Sequence, residues 1–82
     1  MRTYVEVMGV GAHKSGVAKR TGKKYDFTEI SIAYDFPDFT GRKCETVAFD
    51  AAVIGDRKIA PGEVLDVVMH QANFKTYVDL IL

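Results

Sequence analysis

The sequence predicts a small all-β barrel, and three observations carry that prediction. Apolar and polar residues alternate in five short runs, the period of a strand with one face buried. Turn signals built on Gly, Pro, Asn and Asp recur about every ten residues. No helix of ordinary length is evident, and the one helical signal spans a single turn. The 82 residues make one domain, residues 1–82, without linker, internal repeat or low-complexity segment. A chain this short buries a modest core, so oligomerisation would add to its stability.

Arg2 to Met8 reads as a first strand, with Tyr4, Glu6 and Met8 on one face and Val5 and Val7 on the other. Gly9-Val10-Gly11-Ala12 is too glycine-rich to continue regularly and signals a bend or bulge. Lys23 to Tyr34 reads as the longest strand. Its apolar side changes midway: Tyr25 and Phe27 share one face, Ile30 and Ile32 the other. A sharply coiled or bulged strand accounts for the change, and small barrels close with such strands. It also sets Tyr25 and Phe27 opposite the core residues. Asp35 to Lys43 is a loop with Pro37, Gly41 and two rings, Phe36 and Phe39, closed by Arg42 and Lys43. Those rings either anchor the loop or offer a second stacking surface.

Cys44 to Phe49 is a third strand with Val47 and Phe49 inward, and Asp50 is placed to N-cap a helical turn ending at Ile54. Ala60-Pro61-Gly62-Glu63 is a turn, Val64 to His70 a fourth strand, and Gln71-Ala72-Asn73 a tight connection. Phe74 to Leu82 is the fifth strand, with Val78, Leu80 and Leu82 on one face.

No apolar run approaches the ~20 residues of a membrane span. Met1 leads directly into a strand pattern, so no signal peptide is visible. The single cysteine, Cys44, has no partner for an internal disulfide, which fits a reducing cytoplasm. His13 and His70 have no Cys or acid at metal-ligand spacing, so neither a metal nor another cofactor is expected. Asp35 and Asp38 are explained by turn formation, and Ser15 and Ser31 lack a nucleophile motif, so nothing argues for an enzyme.

Eleven basic and eleven acidic residues give a net charge of zero, which removes any argument from overall charge for a polyanionic partner. The distribution restores one. Five of the eleven cations, Lys14, Lys19, Arg20, Lys23 and Lys24, fall in one short segment, and no acid occurs from Gly9 to Tyr25. Arg20-Thr21-Gly22-Lys23 reads as the tip of a β-hairpin, with Gly22 free to take a positive φ. Tyr25 and Phe27 follow on one face of the returning strand. Cations at the tip neutralise phosphates and rings at the base stack on bases, which is how single-stranded nucleic acid is held without much sequence preference. The competing reading is a solvated hairpin whose lysines keep it soluble and whose rings face the core.

The pattern Ser15-Gly16-Val17, cations, then Gly22-Lys23-Lys24-Tyr25 and Glu29 resembles the single-stranded-DNA-binding, or helix-destabilising, proteins of filamentous phages, the gene V family. Ala60-Pro61-Gly62, the strand after it and the closing Val78-Asp79-Leu80 agree in order and approximate spacing. The resemblance covers about half of the chain. It implies an OB-fold-like five-stranded barrel with a projecting hairpin wing, a homodimer, and cooperative coating of single strands during replication in a phage-infected or bacterial cell. By motif, Lys19 or Arg20 corresponds to the wing arginine, Lys23 to the lysine after the glycine, and Tyr25 to the wing tyrosine. Phe27 stands at a large apolar position, and Tyr34 and Phe39 are looser matches. Three departures stand out: one extra wing residue, Lys24 in place of a proline, and a short hairpin between the last two strands, where the family uses a longer loop in its dimer contact.

The contact set expected for single-stranded DNA is therefore Lys19, Arg20, Lys23, Lys24, Tyr25, Phe27, Tyr34 and Phe39. Single-stranded RNA fits the same contacts, because stacking and phosphate contacts do not read the sugar. The alternative is a protein-interaction module with Phe36, Phe39 and Tyr77 as an apolar docking patch.

Overall fold

The computed structural model describes residues 1–82. Its elements are β1 (Arg2–Val17), β2 (Lys24–Asp35), β3 (Arg42–Asp50), α1 (Ala51–Ile54), β4 (Val64–Ala72) and β5 (Lys75–Ile81). They form one antiparallel sheet in the order β3-β2-β1-β4-β5. β3 and β5 are its edges, and no ladder joins them, so the sheet is not closed into a barrel. No helix is long and apolar enough to cross a membrane.

The first strand is longer than alternation alone shows. β1 continues through Gly9-Val10-Gly11-Ala12, absorbing the irregularity in two register shifts against β2, at Val7/Gly9 and Val10/His13. Each shift bends the strand and moves its inward face. Gly11 sits at the second, where a Cβ would lie 3.0 Å from the Glu29 carbonyl oxygen, so only glycine lets the two backbones run this close. β1 therefore buries Val5 and Val7 and nothing beyond them. β2 buries Ile30, Ile32 and Tyr34 on the matching face. β3 adds Val47 and Phe49, β4 adds Leu65, Val67 and Met69, and β5 adds Val78 and Ile81. Each such side chain is worth roughly 1.5–3 kcal/mol when removed from water.

The fifth strand departs from simple alternation. Val68 faces Leu80 but Met69 faces Val78, so Asp79 is an extra residue, a bulge. The inward residues become Val78 and Ile81, while Leu80 and Leu82 are half exposed, instead of all three of Val78, Leu80 and Leu82 sharing a face. The β4–β5 turn is Asn73–Phe74, with φ of 52° and 62°. Two consecutive positive φ values are the two-residue turn whose twist matches a hairpin. α1 forms where the Asp50 carboxylate accepts a hydrogen bond from the Ala52 amide at 2.9 Å, and it ends at Gly55, whose φ is 59°.

Candidate nucleic-acid interface

The β1–β2 hairpin outgrows its neighbours. The β1–β4 ladder ends at Glu6 and Val64, with last backbone bonds between Val7 and the Gly62–Glu63 turn. The β2–β3 ladder begins at Phe27. Past the Lys14–Phe27 pair β1 and β2 continue alone, pairing Ser15 with Asp26, Gly16 with Tyr25 and Val17 with Lys24. This two-stranded ribbon is the wing. Its tip is closed by two backbone bonds of 2.8 Å, from the Ala18 amide to the Lys23 carbonyl and from the Gly22 amide to the Ala18 carbonyl. Gly22 takes a φ of 69°.

Period-two geometry sorts the wing into two faces. One carries Lys14, Gly16, Tyr25 and Phe27. The Tyr25 ring lies across Gly16: a Cβ there would meet its hydroxyl oxygen at 2.8 Å and its Cζ at 3.1 Å. The two ring centroids are 5.8 Å apart and their planes tilt by 45°. Tyr25 is 42% exposed, so its outer ring face is open to a ligand. Lys14 at the base is held by Glu29, Nζ to Oε1 at 3.1 Å. The opposite face carries His13, Ser15, Val17, Lys24, Asp26 and Thr28, with His13 bonded to Asp26. Lys24 thus projects away from the rings, while Lys19, Arg20 and Lys23 lie in the tip loop.

The ion pairs decide which cations are free. Arg2, Lys14, Arg42 and Lys43 each contact a carboxylate. Lys19, Arg20, Lys23 and Lys24 contact none, and all four are exposed. A free, exposed cation can condense a phosphate without first losing a partner.

Two of the expected residues do not join this surface. Tyr34 is corrected outright. Its ring is 0% exposed in the core, and its hydroxyl donates to Glu45 Oε1 at 2.6 Å. Burial, then the Glu45 bond, push its phenol up to about 12. A ring packed on both faces has none left for a base. Phe39 is accessible, 52% exposed, but sits in the loop at the far end of β2. Ten residues of strand separate Tyr25 from Asp35, at most about 33 Å. Phe39 packs edge-on against Phe36, centroids 5.8 Å apart, and Lys43 Nζ stands 4.2 Å above Phe36. A turn with Pro37 and with Asp38 at φ 70° fixes this cluster. The loop rings are thus anchored to the body by a cation, and a ligand on the wing reaches them only by running the length of β2.

The contribution of Gly16 escapes a sequence reading for a definable reason. A tip at Arg20–Lys23 sets Gly16 opposite Phe27. The six-residue loop closed by Ala18 and Lys23 sets it opposite Tyr25. Loop length fixes register, and no local residue signal distinguishes the two.

A second feature lies between the sheet edges. An open groove of about 490 Å³ runs between β3 and β5, lined by Glu45 to Ala48 on one side and Phe74 to Tyr77 on the other, with Glu29. It continues past Ala48 and Tyr77 to Phe27, Asp50 and Asp79. Tyr77 stacks on His70, centroids 5.1 Å apart and planes 17° from parallel. Phe36 lines a cleft that meets the one lined by Tyr77 at His70. No family model, curated protein or solved structure matches the chain.

Proposed function

We propose that this chain is a non-enzymatic single-stranded-nucleic-acid-binding protein that grips its ligand with the wing. The observation that supports it best is the Tyr25 ring seated on Gly16 beside Phe27, on a ribbon whose tip cations have no acidic partner. Lys19, Arg20 and Lys23 take phosphates at the tip, Lys24 takes them from the reverse face, and Tyr25 with Phe27 stacks on bases. The resemblance to the filamentous-phage proteins favours DNA, a role in phage or mobile-element replication, and an OB-fold-like body whose β3–β5 seam stays open.

The homodimer implied by that resemblance belongs to the same proposal. The two-residue Asn73–Phe74 turn is too short to carry a loop-mediated contact. The outer sheet face exposes Tyr4, Met8, Val64 and Leu80, which a second copy would bury.

Fluorescence anisotropy of a labelled oligothymidine across a salt series tests the reading. Four wing cations predict a slope of log affinity on log salt of about −3, from roughly 0.7 per neutralised phosphate on a single strand. A Lys23→Ala/Tyr25→Ala variant loses the binding. Absence of binding at low salt refutes the proposal and turns attention to protein partners, whose apolar docking responds little to salt.

A further inference from the structure

The groove between β3 and β5 is bounded by two strands that each use only one edge. β3 pairs with β2 alone, and β5 with β4 alone. Such edges accept an extended segment by strand addition. Carboxylates dominate the lining: Glu29, Glu45, Asp50 and Asp79 face one cation, Lys75. Glu29 and Glu45 also meet Lys14 and Lys43, Asp50 caps α1, and Asp79 meets His70 at 2.7 Å. Counting those partners, the four carboxylates meet three lysines, Lys14, Lys43 and Lys75, and the small negative excess favours a cationic strand over a phosphate chain.

We infer that the groove receives the wing of a second copy of this chain. The wing has both properties the groove requires. From Met8 to Val17 β1 has β2 on one side and no strand on the other, so it offers a free edge. The segment from Gly9 to Tyr25 carries five cations and no acid. A molecule of zero net charge thus gathers four of its unpaired cations, Lys19, Arg20, Lys23 and Lys24, at the wing and four carboxylates around the cleft. The contact is heterologous, wing to groove. It repeats head to tail, or closes as a reciprocal pair when two copies exchange wings. It does not depend on nucleic-acid binding, and it differs from the apolar outer face in responding to salt.

Sedimentation velocity of the full chain, without nucleic acid, tests it at low and high salt. Wild-type protein associates at low salt and reverts to a smaller species at high salt. A wing variant, Lys19→Glu/Arg20→Glu, and a groove variant, Glu29→Lys/Asp79→Lys, each lose the salt-sensitive species while keeping the wild-type circular dichroism. Mixing the two variants restores it, because one supplies an intact groove and the other an intact wing. A wild-type profile independent of salt overturns the inference. So does a mixture of folded variants that fails to associate. Loss of oligothymidine binding with association intact would count against the nucleic-acid reading alone.

Discussion

Tyr25 and Tyr34 stand on the same strand, yet one lies on open backbone at 42% exposure and the other is sealed in the core at 0%. Nothing in the residue type separates them. The difference comes from how many strands flank β2 at each point. At Tyr34, β3 pairs on one side, the β1 ladder reaches the adjacent Ala33, and inward residues of β1, β3, β4 and β5 complete the core. At Tyr25 only β1 remains, and it presents a glycine. A tyrosine against Gly16 covers backbone that no side chain shields, the cross-strand compensation that aromatic residues supply to glycine. A tyrosine amid five strands must bury its hydroxyl and finds Glu45 for it.

The sharpest way to break this comparison is to truncate each half of β2. Ile32→Ala in the inner half is expected to cost about 2–5 kcal/mol in urea unfolding, from lost burial and the cavity left behind. Tyr25→Ala in the outer half is expected to stay within about 0.5 kcal/mol of wild type. Equal losses would mean that the wing is packed as tightly as the body.

Alkali separates the two halves next. Tyr34 has its folded-state phenol raised from the ordinary 10.0 to about 12. Its protonated form therefore stabilises the fold fully below pH ~10, and that contribution drains away as pH climbs through ~12. Two units correspond to roughly 2–3 kcal/mol at 1.36 kcal/mol per unit. Denaturation followed over that window should show the slope in wild type and lose it in Tyr34→Phe. An unchanged slope in the variant would assign the alkaline loss to other groups.

Binding then sharpens the contrast from the other side. Tyr25→Ala should weaken oligothymidine binding by about 1–3 kcal/mol, the usual worth of one stacked base. Tyr34→Phe should leave the affinity unchanged, since its ring has no free face. Smallest is the effect of Gly16→Ala. Its new methyl displaces the far end of the Tyr25 ring, and affinity should fall a few-fold while the unfolding midpoint holds. Affinity equal to wild type would show that the seat of the ring is irrelevant to its use.

The same comparison explains what could be read from the sequence. All five strands and the Asp50-capped turn follow from local alternation and turn chemistry, which act over a few residues. The inward residues Ile30 and Ile32 of β2 and Val47 and Phe49 of β3 follow for the same reason. Three features depend instead on register between distant strands. The continuity of β1 through Gly9 and Gly11 requires β2 as a template. The bulge at Asp79, which turns Ile81 inward, requires β4. The burial of Tyr34 requires the core that residues of β1, β3, β4 and β5 assemble around the inner end of β2. At the candidate site the tip cations and the exposure of Tyr25 were legible, whereas the unequal faces of Lys24 and Tyr25 and the anchored state of Phe39 were not. The open seam between β3 and β5 has no local signature either, because closure is a property of the whole sheet.

Beyond Val7 the wing is tied to the molecule by β2 alone, and that has a consequence for time as well as shape. A lone two-stranded ribbon is marginal in water. Its ladder can therefore open and re-form without disturbing the core residues. Amide exchange should divide β1 into two populations: Thr3 to Val7 exchanging only with global unfolding, and His13 to Val17 exchanging through a cheap local opening. The stretch that carries the charge is thus also the stretch that can change shape while the rest of the molecule stays folded.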